Sequence, residues 1–198
     1  MVASDERPAA LPDRDLDGNE RPNVVLTGFM GTGKSTIGRL LAHRLRYELV
    51  DTDAVIEARG ETIAEIFRTR GEDAFREIEH ALAADLAGHR GLVVSTGGRM
   101  MLDARNEATL GRNGRVFCLV ASPDAILARV HRDPTRRERP LLSVADPRAR
   151  IVELLAERAA GYARFEQVDT DGRDPEAVVD EIEKRLNASA DARRARRA

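Results

Sequence analysis

Hydrophobic positions in this chain form short continuous runs, separated by longer stretches of helical periodicity. Runs at 23–27, 47–50, 92–95 and 115–120, with a shorter one at 167–169, predict five strands. They are continuous rather than alternating, as strands are when both faces of a parallel sheet are covered. Between them the spacing predicts a helix ending near Arg46 and helical pieces over 54–86 broken at Gly60 and Gly71. Further helices are predicted over 123–130, 147–160 and 175–186, with Pro123, Pro147 and Pro175 at their starts. A proline in the first turn forfeits no helical hydrogen bond. The pattern as a whole predicts a three-layer α/β domain with helices flanking a parallel sheet.

Composition narrows this picture. At 198 residues, 42% hydrophobic and 33% charged, the chain has the size and balance of one globular domain. No run approaches the roughly 20 apolar residues that span a bilayer. Asp5, Glu6, Arg7 and Pro8 precede no apolar run, so the start does not read as a secretory signal. Residues 1–22 read as a disordered extension and 23–187 as the domain. Residues 188–198, which include Arg193, Arg194, Arg196 and Arg197, read as a disordered basic tail. The net charge of −2 predicts no general attraction to nucleic acid or membrane. A single cysteine, Cys118, lies in an apolar run, which fits a buried thiol in a reducing cytoplasm. Thirty of the 32 basic residues are arginine, so one arginine signals little by itself, whereas a lysine inside a glycine loop stands out.

That lysine is Lys34. The segment Gly28-Phe29-Met30-Gly31-Thr32-Gly33-Lys34-Ser35 fits G-x-x-x-x-G-K-[ST] between a predicted strand and a predicted helix. Glycines let the backbone curl until successive N–H groups point at phosphate oxygens, and the helix start adds partial positive charge. Gly31, Thr32, Gly33, Lys34, Ser35 and Thr36 are therefore the candidate nucleotide-phosphate residues. Lys34 reaches the β- and γ-phosphates, and the Ser35 hydroxyl suits Mg²⁺. No N-K-x-D segment for guanine is present, and no D-G-[FY]-P-R segment for a nucleotide acceptor. The expected acceptor is a smaller molecule.

Candidate acceptor residues follow the strands. Asp51 and Asp53 fall at the carboxyl end of the second strand, where α/β proteins bind ligands. Asp51 suits Mg²⁺ through water. Asp53 suits proton acceptance from an attacking hydroxyl, or an N-cap for the following helix, and the two roles are compatible. Arg76 and Glu79 lie three apart on one helical face, as a carboxylate-gripping fork with its orienting partner or as a surface ion pair. Gly97 and Gly98 end the third strand, where bare backbone approaches a ligand or simply turns. The stretch 131–146, with Arg132, Arg136, Arg137 and Arg139, reads as an arginine-bearing lid or as an exposed loop.

Taken in order, these segments resemble the shikimate kinase family from about residue 23 to 186. The matching pieces are 28–36, Asp51-Thr52-Asp53, Phe75-Arg76 with Glu79, Gly97-Gly98, Arg139-Pro140-Leu141-Leu142, and Glu157-Arg158-Ala159-Ala160-Gly161-Tyr162. The resemblance implies a P-loop kinase fold with a five-stranded parallel sheet in order 2-3-1-4-5 and a substrate-binding helical segment at about 51–79. It implies ATP and Mg²⁺ as cofactors and shikimate as the small-molecule substrate. Asp53 would be the base, Arg76 and Arg158 would grip the carboxylate, and Gly97 and Gly98 would meet the ring. Arg139 would be the lid arginine, with Arg132 and Arg173 beside the adenine. The family suggests a monomer or weak dimer. Arg99 stands where the family usually has a third glycine. If it points to solvent the acceptor is shikimate; if it points inward, a related polyol acid such as gluconate. A non-catalytic nucleotide-binding regulatory protein is the reading from another class, and it should have lost Lys34, Ser35 or Asp53, all of which remain.

Overall fold

A computed structural model describes residues 22–132, 142 and 144–197, with side chains through Ala188. Arg136, Arg137, Arg139 and most of the predicted lid lie outside the described residues.

Five strands form one parallel sheet: β1 (Asn23–Gly28), β2 (Glu48–Asp51), β3 (Leu92–Ser95), β4 (Gly114–Val120) and β5 (Glu166–Asp169). Their order is β2-β3-β1-β4-β5, the order the family resemblance implies. The register pairs Val25 with both Val94 and Val116, so β1 runs through the centre. Central β1 and β3 are buried along their whole length, whereas edge strands β2 and β5 carry exposed Glu48, Gln167 and Asp169. Short polar edges discourage pairing with further strands.

Both faces are apolar, which explains the missing alternation. Val24, Leu26, Val93, Phe117 and Leu119 face one cluster with α1 (Lys34–Leu45) and α7 (Pro175–Arg197). Val25, Val94 and Cys118 face the other, with α3 (Ile63–Leu86), α5 (Pro123–Arg132) and α6 (Pro147–Tyr162). Fully burying side chains of this size contributes on the order of 1.5–3 kcal/mol each.

The region after β2 bends as its glycines predict. α2 (Thr52–Glu57) ends before Gly60, and α3 is kinked at Gly71, whose φ of 79° lies outside the helical range. α3 opens with a capping box in which Thr62 and Glu65 satisfy each other's backbone N–H groups. Two elements go beyond the sequence reading. A 3₁₀ turn (Met100–Leu102) and α4 (Ala104–Gly111) follow β3. α7 continues to Arg197, past its predicted end near Leu186, so the expected loose tail is helical backbone over 188–197. Ala188, Ala190, Ala192 and Ala195 give that stretch high helix propensity, which outweighs the charge that suggested disorder.

Candidate active site

The loop from β1 into α1 takes the shape its glycines allow. Gly28, Gly31 and Gly33 have φ of 127°, 76° and 100°, a region open to glycine and costly for other residues. A Cβ on Gly28 would lie 2.3 Å from the Leu119 carbonyl oxygen. Gly33 forms the left-handed N-cap of α1 without a side-chain cap, leaving first-turn N–H groups to a ligand. The Lys34 ammonium folds back over the loop, donating to the carbonyls of Gly28 and Phe29 at 2.9 Å each. Ser35 Oγ, exposed at the helix start, donates to Asp51 Oδ2 across 3.2 Å. Helix dipole, glycine nest, ammonium and a hydroxyl–carboxylate pair together fit a polyphosphate and a hard divalent cation. Asp51 Oδ1 also accepts from the Ala54 N–H at 3.3 Å, so Asp51, not Asp53, caps α2.

Two residues brace this loop that sequence reasoning missed. Arg129, on α5, donates from Nη1 to the Gly31 carbonyl at 3.3 Å and to Thr170 Oγ at 2.9 Å, and from Nη2 to the Thr170 carbonyl. Thr170, just past β5 and buried, lies within hydrogen-bond reach of the Thr32 carbonyl (3.1 Å) and the Val120 carbonyl (3.0 Å). Because a trans peptide holds C=O and N–H antiparallel, anchoring the Thr32 carbonyl turns the Gly33 N–H the other way. One arginine among thirty carried no signal; only its three-residue spacing from Arg132 on α5 distinguishes it.

Across from the loop, Asp53 sits half-buried in the first turn of α2. Its Oδ1 lies 2.6 Å from where a Cβ on Gly97 would be, and Glu79 Oε1 lies 3.3 Å from the same point. The bare glycine is what lets the carboxylate approach the end of β3. Thr52 Oγ accepts from the Gly97 N–H at 2.9 Å, and the Thr96 N–H donates to the Leu26 carbonyl at 3.0 Å. The middle residue of Asp51-Thr52-Asp53 thus ties the acceptor turn to α2. Gly98 faces α6: Arg158 Nη1 lies 3.7 Å from a Cβ placed there, and the Tyr162 hydroxyl donates to the Gly98 carbonyl at 2.5 Å. Arg158 is buried and stacks over Phe29, 5.2 Å from the ring centroid. Burial raises the Tyr162 phenol above its usual range, with Arg158 pulling the other way.

Arg76 is held from two sides. Its Nη1 donates to Glu79 at 2.6 Å, and Nε and Nη2 donate to Glu72 Oε1 at 3.2 and 2.7 Å. Burial raises the Glu79 carboxyl, opposed by Arg76, while the hydrogen bond from Arg76 lowers Glu72. Burial also works against the Arg76 charge, but the bonds to both carboxylates outweigh it and raise its pKa. The ion pair is therefore no loose surface contact, since Glu79 is almost fully buried.

Arg173 donates to the Asp169 and Ala177 carbonyls at 3.0 Å each and to Glu181. Arg99, with an ordinary φ of −114°, needs no glycine, and its half-exposed side chain donates to Glu72 at 3.1 Å instead of entering the glycine turn. Arg132 is exposed at the end of α5.

A phosphate-gripping loop facing a carboxylate and two fixed guanidinium groups across the strand ends defines a P-loop phosphotransferase acting on a small anionic molecule. A family model described as shikimate kinase matches residues 30–187. A shikimate kinase of Thermus thermophilus is 47% identical over 172 residues, covering 86% of this chain and 92% of that protein. One from Geobacter sulfurreducens is 46% identical, covering 81% and 88%. Among solved structures, shikimate kinase from Acinetobacter baumannii in complex with shikimate superposes with a TM-score of 0.77 at 33% identity, covering 85% of this chain and 94% of that one. The chain belongs to the shikimate kinase family.

Proposed function

We propose that this enzyme transfers the γ-phosphoryl group of ATP to the 3-hydroxyl of shikimate, with Asp53 as the base. The observation that carries this reading is that Asp53 lies against Gly97 and Arg158 against Gly98, at the end of β3 beside the phosphate loop. A small ring lying against that turn meets a carboxylate at its hydroxyl side and guanidinium groups at its acid side.

Ser35 directly, and Asp51 through water, are the residues that would hold Mg²⁺, which when bound offsets charge on the phosphates. Lys34 leaves its two loop carbonyls for phosphate oxygens and stabilises the negative charge of the transferring group. The acceptor hydroxyl would attack the γ-phosphorus in line, the new O–P bond forming as the bond from phosphorus to the β–γ bridging oxygen breaks and ADP leaves, and Asp53 would receive the hydroxyl proton. Arg76 and Arg158 hold the acceptor's carboxylate so that the hydroxyl points at the phosphorus, and Arg139 adds charge from the lid. Positioning and preorganised charge supply most of the acceleration. Arg99 favours shikimate over a polyol acid because it is committed to Glu72 rather than filling the ring site.

The test is ADP release with ATP alone and with a panel of shikimate, gluconate and related polyol acids. Shikimate-dependent ADP is expected. Release that is independent of acceptor, or specific to gluconate, overturns the reading. So does full turnover by Asp53→Asn at saturating substrate, for the base.

A further inference from the structure

We infer that Glu72 and Arg99 form a positioning pair for the acceptor's carboxylate, Glu72 orienting the Arg76 fork and Arg99 holding Glu72; this rests on the proposed role of Arg76. A guanidinium has five N–H donors. Here Nε and one N–H of Nη2 converge on Glu72 Oε1, and one N–H of Nη1 goes to Glu79. One donor remains on each of Nη1 and Nη2, which is the number a bidentate grip on a carboxylate requires.

The two braces are unequal. Glu79 is almost fully buried and fixed by packing. The Glu72 side chain is 49% exposed and borders an open depression of about 280 Å³, lined by Glu72, Asp73, Arg76, Arg99, Leu102 and Asp103. A side chain so placed samples other rotamers unless something restrains it. Arg99 adds a second restraint to that of Arg76: its Nη1 donates to the same Oε1, so two guanidinium groups share one oxygen. A glycine at 99 would leave Glu72 held by Arg76 alone.

The experiment is steady-state kinetics on Arg99→Gly, Glu72→Ala, Glu72→Gln and the Arg99→Gly/Glu72→Ala double variant, with thermal melting to confirm folding and calorimetry of shikimate binding. Arg99→Gly is expected to raise the acceptor KM about threefold to tenfold, the scale of one net hydrogen bond, with kcat and the ATP KM unchanged. Glu72→Ala raises it at least as much, and Glu72→Gln, which keeps an accepting oxygen, recovers part of the loss. In the Glu72→Ala background, adding Arg99→Gly has no further effect, because Arg99 acts through Glu72. An equal effect of Arg99→Gly in both backgrounds, a change in kcat, or a flat acceptor KM across the series overturns the pair. A wild-type chain that phosphorylates no shikimate overturns the proposed acceptor, and the pair with it.

Discussion

Gly97→Ala separates catalysis from folding at a single methyl group. Gly97 has no positive φ, so alanine is acceptable to the backbone and the perturbation is steric. The new Cβ would lie 2.6 Å from Asp53 Oδ1 and 3.3 Å from Glu79 Oε1. Van der Waals contact begins near ~3.5 Å, so the Asp53 carboxylate must retreat by roughly 0.9 Å. Asp53 is half-buried at the end of a short, rotatable side chain, whereas Glu79 is buried and tied to Arg76. Asp53 therefore gives way, and the fold keeps most of its stability, with a loss of about 1 kcal/mol at the low end of overpacking costs. In a domain of this size that lowers Tm by about 2–4 °C. Catalysis is less forgiving, since a 1 Å misplacement of a reacting group costs on the order of 10² in rate. The expected result is a kcat lower by about 50- to 100-fold with the ATP KM unchanged. Gly98→Ala is the comparison: its Cβ would meet Arg158 Nη1 at 3.7 Å and the Gly28 carbonyl oxygen at 3.8 Å, both ordinary contacts, so it leaves Asp53 in place and should act through the acceptor KM, since Gly98 would meet the ring. The assay is coupled ADP release alongside thermal melting. If Gly97→Ala keeps more than half of the wild-type kcat, Asp53 does not act where it stands. A Tm loss beyond ~10 °C would mean that the fold yields before the carboxylate does.

Arg129→Ala releases the Gly31 carbonyl and Thr170, so the ATP KM should rise about tenfold with the acceptor KM unmoved, and Arg129→Lys should restore part. Equal changes in both KM values would mark general loosening instead. Lys34→Ala should lower kcat by about 10²–10³, the scale of losing one preorganised charge donor, and a smaller loss would remove Lys34 from the transition state. Burial pushes the Cys118 thiol up to about 11. Thiolate, the reactive form, is then roughly one part in a thousand at pH 8 and grows only as pH climbs toward that value. Folded protein should resist alkylation at pH 8 and label at once in denaturant; rapid labelling of the native state would contradict the buried position.

The linear chain alone determined the strand count, the parallel sheet and the phosphate loop. Each is written in short-range terms: continuous apolar runs, a glycine spacing, a lysine where nearly every other cation is arginine. The kinks at Gly60 and Gly71 were legible for the same reason, because glycine acts on its own backbone. The ordered set of motifs also carried the sheet order, through family resemblance rather than through any local pattern. What the chain could not express was partnership between distant residues. The sequence offered Asp53 as both base and cap, and only the path of β2 into α2 makes Asp51 the cap and Asp53 the carboxylate against Gly97. Arg99, Arg129 and Arg173 are chemically identical, yet they restrain Glu72, brace the phosphate loop and anchor α7, roles assigned by which acceptor the folded backbone brings within about 3 Å. A hydrogen bond depends on a distance across the fold, and residues 41 apart in sequence, as Arg129 and Thr170 are, acquire that distance only after the sheet has closed.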